Sequence, residues 1–430
     1  MLRALSHRNY KLFFSGQSLS LIGTWMTRIA TSWLVYRLTG SALLLGVVGF
    51  AGQIPSFLLA PFAGVLVDRW NRHRLLVATQ VLAMLQSLAL AILALTGLIN
   101  IRHVIGLSIL QGVINAFDMP ARQAFVVEMV EKREDLANAI ALNSSMVNAA
   151  RLLGPSIGGV VIAAVGEGWC FMLDAVSYIA VIASLLAMKL VPRVRKPLKG
   201  TNILREIREG WRYAFGFAPI RSVLLLLALV SLVGMPYTVL MPVFANGILH
   251  GGPSTLGLLM AASGVGALVG ALFLAGRKSV LGLGKYIPLT AGAFGAGLIA
   301  FSFSRLLWLS MFLMVLTGLG FMVQMAASNT VLQTIVDEDK RGRVMSFYTM
   351  AFMGTAPFGS LLAGSLADRI GAPHTLMFGG LGCILGALWF ATSLPSLRRD
   401  VRPIYVRIGI LPEIATGIHN TTELSVPPET

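Results

Sequence analysis

Twelve apolar stretches, separated by mostly short polar breaks, divide the chain at about 13–36, 43–67, 75–97, 103–126, 136–165, 169–190, 222–245, 254–276, 287–304, 306–330, 344–367 and 374–394. Each is close to the roughly 20 residues that a helix needs to cross a bilayer core. Backbone in lipid must satisfy its own hydrogen bonds, so these stretches are predicted to be spanning helices. One long polar break, 191–221, separates six stretches from six. Within it Ile203, Leu204, Ile207, Trp211, Ala214 and Phe215 recur at helical spacing among Arg205, Glu206, Arg208, Glu209 and Arg212, the pattern of a helix lying on a membrane surface. The expected fold class is an all-α membrane protein with twelve transmembrane helices. Its expected organisation is a six-helix bundle at 1–190, a linker with the amphipathic helix at 191–221, a second six-helix bundle at 222–395 and a tail at 396–430.

Composition narrows the class. Of 430 residues 56% are hydrophobic and only 12% charged, about half the usual charge of a soluble domain. That excludes a water-soluble enzyme and a domain held by a single anchor. The net charge of +16 is a matter of placement. An even number of spans puts both ends on one side, where alternate loops collect Arg3, Arg8, Lys11, Arg69, Arg72, Arg74, the basic linker, Lys340, Arg341, Arg343, Arg398 and Arg399. The other side has only Arg37, Arg102, Arg305 and Arg369. Lysine and arginine accumulate on the cytoplasmic side, so a multi-pass protein of the cell (inner) membrane with both termini inside is expected, embedded in the lipid bilayer as a monomer. Nucleic acid is not an expected partner. Cys170 and Cys383, on separate stretches, read as packing residues, since a disulfide framework needs more cysteines. The first apolar run has no small-residue cleavage pattern and is longer than a signal-peptide core.

The two halves show internal similarity. Glu128-Met-Val-Glu-Lys-Arg-Glu-Asp has a counterpart in Thr334-Ile-Val-Asp-Glu-Asp-Lys-Arg, and Gly154-Pro155 with Gly158-Gly159 has a looser one in Ala356-Pro357-Phe-Gly359. Parallel repeats of this kind mark secondary transporters, whose substrate site lies between the repeats at mid-bilayer.

The break between the second and third stretches reads Gly64-Val-Leu-Val-Asp68-Arg69-Trp-Asn-Arg72-His73-Arg74. This resembles the loop pattern Gly-x-x-x-Asp-Arg-x-x-Arg-Arg/Lys of the major facilitator superfamily, with His73 departing from it by one position. Glycine permits close helix approach, and an acid among arginines suits a latch that opens as the halves rock. Gly64, Asp68, Arg69, Arg72 and Arg74 are therefore the expected cytoplasmic gate. Gly154-Pro155-Ser-Ile-Gly158-Gly159 resembles the antiporter motif typical of exporters in that family, in which proline kinks the helix and glycines admit a neighbour. Further stretches, Gly23 to Ala30, Asn115 to Ala124 and Leu142 to Arg151, resemble the subgroup of enterobactin exporters and macrolide efflux proteins. The resemblance covers about 5–395 and implies two pseudo-symmetric six-helix bundles. It also implies efflux of small molecules, as in multidrug resistance, with proton antiport. In one departure Ser108, in Ser108-Ile-Leu-Gln111-Gly112, stands where proton-coupled drug exporters carry the arginine linked to proton transfer.

Charges inside the membrane cost about 2.5–3.5 kcal/mol on insertion scales and usually face a bundle interior with a partner. The first half holds Arg28, Asp118, Arg122, Arg151 and Asp174, and the second holds none within its six stretches. Asp118 and Arg122 stand i and i+4 and can satisfy each other. They form either a structural pair or, with Arg151, a proton-coupling set in which Asp118 alternates between an arginine and a proton. Asp174 reads as structural or interfacial, near an outer helix end. Arg28 and Arg151 are alternatively a positive patch for an anionic or zwitterionic solute. In the resembled family spans one, four, seven and ten line the cavity, and the expected wall is Trp25, Arg28, Trp33, Asn115, Asn148, Tyr237, Gln324 and Asn329.

The expected function is secondary active export of a small amphipathic molecule (drug, siderophore or metabolite) by alternating access, with protons as the counter-ion. Uptake, or movement of a lipid-like solute, uses the same fold. An intramembrane enzyme needs clustered reactive groups at one depth. The six histidines fall far apart in breaks, ends and tails, and no HExxH, phosphate-binding glycine loop or Gly-x-Ser-x-Gly elbow is present. No catalytic residue, metal or cofactor is therefore expected, and an ATP-driven pump is disfavoured.

Overall fold

The apolar stretches form helices long enough to cross a bilayer. The computed structural model describes residues 3–130, 132–189, 203–277, 279–338, 340–408 and 410, without the side chains of 60, 61, 64, 65, 68, 69, 133, 137 and 203–207. The first six spans are α1 (Arg8–Thr39), α2 (Ala42–Arg69), α3 (Arg72–Leu95), α4 (Ile101–Met129), α5 (Leu136–Val165) and α6 (Glu167–Leu186). After α7 (Ile203–Gly216), helices α8 (Ala218–Leu229) and α9 (Tyr237–Val243) belong to one span, Ala218–Ile248. Then come α10 (Pro253–Ala275), α11 (Leu283–Phe303) and α12 (Leu307–Ile335). Helices α13 (Arg341–Thr349) and α14 (Ala356–Ile370) share the span Arg341–Ile370, and α15 (Ala372–Arg407) is the last. Eleven of these twelve spans are apolar enough to read as membrane spans by hydropathy alone. The other is α1, whose 32 residues include Arg8, Lys11, Arg28 and Arg37. No strand occurs among the described residues.

The breaks are built by caps. Ser41 Oγ accepts from Leu44 N (3.3 Å), Asn71 Oδ1 from Arg74 N (3.1 Å) and Asn100 Oδ1 from His103 N (3.1 Å), each satisfying an orphan donor at a helix start. Gly40 ends α1 with φ 62°, a left-handed conformation that glycine adopts without steric cost. The short connections force consecutive spans to run antiparallel.

Helix pairing repeats six spans on. In the first half α2 packs on α4, α3 on α4 and α6, and α1 on α5 and α6. In the second α10 packs on α12, α11 on α12 and α15, and the α8–α9 span on α14 and α15. The halves meet through two symmetric pairings, α5 with α10 and α2 with α14. Both rest on glycine. An added Cβ at Gly159 would stand 2.9 Å from Gly257 Cα, and one at Gly364 would stand 2.8 Å from Gly46 Cα. Phe358 of α14 fits between Phe50 and Phe57 of α2, with ring centroids 5.9 and 6.3 Å away. The glycine contacts, and the Ser41 hydroxyl hydrogen-bonded to Asp368 (3.3 Å), lie toward the end remote from the termini. The molecule is closed there.

Proline reshapes two second-half spans that touch the first half, α8–α9 and α13–α14. In the α8–α9 span Met235 N bonds Val230 O (3.1 Å) and Leu249 N bonds Phe244 O (2.9 Å), both i to i−5 contacts of widened π turns. Pro236 has no N–H to offer Leu232 O, and Gly359 of α14 packs on that carbonyl. A third widened turn, Met350–Gly354, precedes Pro357. Such turns are common where helices must adjust, and the apolar pattern alone gave no sign of them.

At the face carrying the termini, α7 docks on α13. Trp211 stacks on Phe215 (4.0 Å) and meets Phe347 edge-on (5.8 Å), Arg343 pairs with Glu209 (3.2 Å), and Tyr213 donates to Asp337 (3.2 Å). The linker before it, 190–202, and the tail from 411 lie outside the described residues. Helix α15 runs on to Arg407, past the expected end of its span, and Arg407 pairs with Asp337 (3.0 Å).

Asp174 is a tie inside the first half, not an interfacial residue. It is 2% exposed, and its Oδ2 accepts from Thr27 of α1 (2.9 Å) and Ser87 of α3 (3.0 Å). Of the two readings the sequence left open, structural and interfacial, burial decides for the structural one. Asp174→Leu strands the Thr27 hydroxyl, while Ser87 keeps the carbonyl of Phe171 (3.0 Å), and is expected to cost about 1–3 kcal/mol, read as a lower melting temperature in detergent, whereas Asp174→Asn keeps an acceptor and melts close to wild type. Gly257→Leu has no room against Gly159 and is expected to hold the closed end apart. In a variant lacking Cys170 and Cys383, it should expose Ser360→Cys, buried in the α2–α14 contact, to a membrane-impermeant thiol reagent.

Candidate functional site

Two groups of charges occupy the interior of the first half. The first lies between α3 and α4. Asp118 is 3% exposed. Its Oδ1 accepts from Thr79 Oγ1 (3.0 Å) and Gln80 Nε2 (2.6 Å), and its Oδ2 pairs with Arg122 one turn on. Helix α4 continues through Pro120, so the i, i+4 pair forms in spite of it. The Nε of Arg122 and the Oε1 of Gln80 are buried without partners, which leaves Arg122 dependent on the carboxylate. Arg151 is not part of this network, whose members all sit on α3 and α4.

Arg151 instead joins Arg28. The guanidinium carbons of Arg28 and Arg151 lie 4.6 and 5.7 Å from the ring centre of Trp25. Gly154 and Gly158 make this possible. An added Cβ at Gly154 would stand 2.5 Å from Trp25 Cβ, and one at Gly158 would stand 3.0 Å from Met26, so α1 and α5 approach closely enough for one indole to reach both cations. Helix α1 is ringed by α2, α4, α5, α6, α9 and α10, yet Arg28 is exposed. Its side chain therefore opens into space within the protein, not onto lipid. Neither arginine has a carboxylate partner among the described residues.

The other expected wall residues divide by burial. Trp25, Asn115 and Asn148 of the first half and Asn329 of α12 are partly exposed. Asn115 accepts from Gln111 (3.1 Å) and Asn329 from Gln333 (2.5 Å). Trp33 is buried in the packed core, Tyr237 is sealed against Ser263 (2.7 Å) and Phe294, and Gln324 is wholly buried. In this conformation those three do not line open space. A separate cavity of about 420 Å³ on the second half, between Pro219, Val223, Ile287, Val331, Phe390 and Leu397, contains none of the expected wall residues.

The motif residues sit where helices meet. Gly159 and the carbonyl of Pro155 contact Gly257 of α10, so the Gly-Pro stretch joins α1, α5 and α10 at the closed end. At the opposite face Arg72 bonds Glu128 (3.1 Å) and Ala124 O (3.3 Å) of α4, and Arg74 is exposed. The side chains of Asp68 and Arg69, and the surroundings of Gly64, lie outside the described set. Sequence reasoning missed Thr79 and Gln80, although both are polar residues of an apolar stretch. It also missed the part Trp25 plays as a shared floor.

Known proteins resemble this chain along most of its length. Residues 2–405 match the family described as transmembrane secretion effector. A staphyloferrin A transporter of Staphylococcus aureus is 28% identical over 395 residues, 91% of this chain and 98% of the relative. The multidrug efflux pump Tap of Mycolicibacterium fortuitum is 28% identical over 87% of this chain and 93% of its own, and macrolide efflux protein A of Streptococcus pyogenes is 25% identical over 87% and 94%. Among solved structures, a bacterial homologue of the lysosomal transporter Spinster, inward-facing and unoccupied, superposes with TM-score 0.69 at 14% identity, covering 93% of this chain and 98% of that one. A mutant of the nucleoside transporter NupG gives 0.71 at 10% identity, covering 90% and 99%. These last two bear on the fold alone. The chain is a membrane transporter, not an enzyme, and belongs to the transmembrane secretion effector family of the major facilitator superfamily.

Proposed function

We propose that this transporter exports a small amphipathic molecule from the cytoplasm by alternating access in exchange for protons, working as a monomer in the cell (inner) membrane with both termini inside. Export is favoured by the Gly-Pro stretch at the closed end and by relatives named as efflux proteins. The basic loops on the terminus face favour the orientation. The expected division into two bundles joined by 191–221 fits the two sets of paired spans.

The observation that carries proton coupling is the Asp118 network. A buried carboxylate held by one arginine and two neutral donors has two stable arrangements. Ionised, it binds Arg122. Protonated at Oδ2, it loses that ion pair and keeps the Thr79 and Gln80 bonds to Oδ1, which leaves Arg122 to move. Arg72 grips α4 at Ala124 and Glu128, about 9 to 15 Å along the helix from Asp118 at 1.5 Å per residue. A shift of α4 is thereby delivered to the Gly64–Arg74 gate. In lipid nanodiscs, spin labels on the two halves at the terminus face are expected to change separation when the medium is acidified, and Asp118→Asn is expected to abolish that change while the protein remains folded. An unaltered pH response in Asp118→Asn rules Asp118 out as the coupling group.

A further inference from the structure

We infer that Arg28, Arg151 and Trp25 form a subsite for the anionic group of a planar, aromatic or conjugated solute, so that the molecule carried is an organic acid and not a cationic drug. The inference rests on the proposed reading of the space between the halves as the solute path, and it specifies the chemistry of that path.

Charge counting makes the case. Within the spans of the second half the described residues contain no carboxylate near mid-membrane; Asp337 and Asp368 stand at span ends. In the first half Asp118 is neutralised by Arg122, and Asp174 is turned inward onto Thr27 and Ser87. What remains facing open space is a pair of like charges. Two guanidinium groups over a single indole repel each other, and a cation–π contact offsets only part of that. Nothing in the fold requires such a pair, because a structural arginine in a membrane core is normally matched by an acid. An anion between the two forks relieves the repulsion, and arginine's planar donors suit a carboxylate or phosphate-like group. Trp25, in contact with both guanidinium groups, offers indole surface beside them for a flat ring. Asn148 lies one helical turn from Arg151 on α5, partly exposed, with its Nδ2 turned to Ser144 O (3.0 Å) and its Oδ1 left to orient a polar substituent.

A charge series on one ring tests this. Binding of 2-naphthoate, 2-naphthamide and 2-naphthylmethylamine to the full chain in nanodiscs is measured by scintillation proximity with tritiated ligands. The naphthoate is expected to bind at least tenfold more tightly than the amide, and the amine most weakly. Arg28→Gln and Arg151→Gln should each remove that order, Arg28→Lys should retain part of it, and Trp25→Ala should weaken all three ligands alike. Arg28→Gln should also melt at or above the wild-type temperature, because it removes repulsion; a loss of several degrees would show a structural partner and overturn the inference. An amide bound as well as the acid, or failure of all three to bind, overturns it too. Protection of Asn115→Cys from thiol labelling by naphthoate reports separately on the path. Charge preference without protection leaves the anion subsite standing and removes the reading of the path, whereas protection without charge preference does the reverse.

Discussion

A charge inside a bilayer must be matched by the protein that carries it there, and this constraint sorts the first half of the molecule. Asp118 meets it with Arg122, Thr79 and Gln80, and Asp174 meets it in part, with two hydroxyls on Oδ2 while Oδ1 is buried without a partner. Arg28 and Arg151 do not meet it from within. The second half avoids the problem by having almost no charge between its span ends. Electrically, then, the two pseudo-equivalent halves are unequal, one holding the buried charges and the other largely neutral between its span ends. An exported anion and an imported proton both move charge favourably across an inside-negative membrane, at about 2.3 kcal/mol per charge per 100 mV. The proposed solute chemistry and the proposed coupling therefore work in the same sense.

Movement requires interfaces that can separate. The closed end is held by backbone-to-backbone approaches at Gly159–Gly257 and Gly46–Gly364 and by the Ser41–Asp368 hydrogen bond. Without a hydrophobic force between helices in lipid, such contacts depend on van der Waals fit and weak polar bonds. They are suited to opening and closing many times. The widened turns around Pro236, Pro242 and Pro357 lie in two spans that touch the other half, where local adjustment of the backbone costs few hydrogen bonds.

Much of this was legible beforehand. Apolar runs located every span, because a bilayer demands length and composition of each one separately; 136–165 coincides with α5, and 344–367 falls within Arg341–Ile370. The i, i+4 spacing of Asp118 and Arg122 announced their pairing, since both lie on one helix. Contacts between helices were harder. A span that is apolar on all sides gives no face to its polar residues, so Tyr237, Gln324 and Trp33 were expected to line a cavity and are packed away in this conformation. For the same reason the sequence left Asp174 open between a structural and an interfacial place. Thr79 and Gln80 belong to another helix than Asp118, and no spacing rule links them.

Rocking of two rigid halves about a central path is the claim to which all else is attached. It is tested most directly by measuring two distances in one sample series: Ser41→Cys to Asp368→Cys at the closed end, and Arg74→Cys to Gly342→Cys at the terminus face, by pulsed electron resonance across a pH titration in nanodiscs. The first distance is expected to lengthen as the second shortens, with the same midpoint. Distances that change independently, or a closed end that never parts, would contradict it.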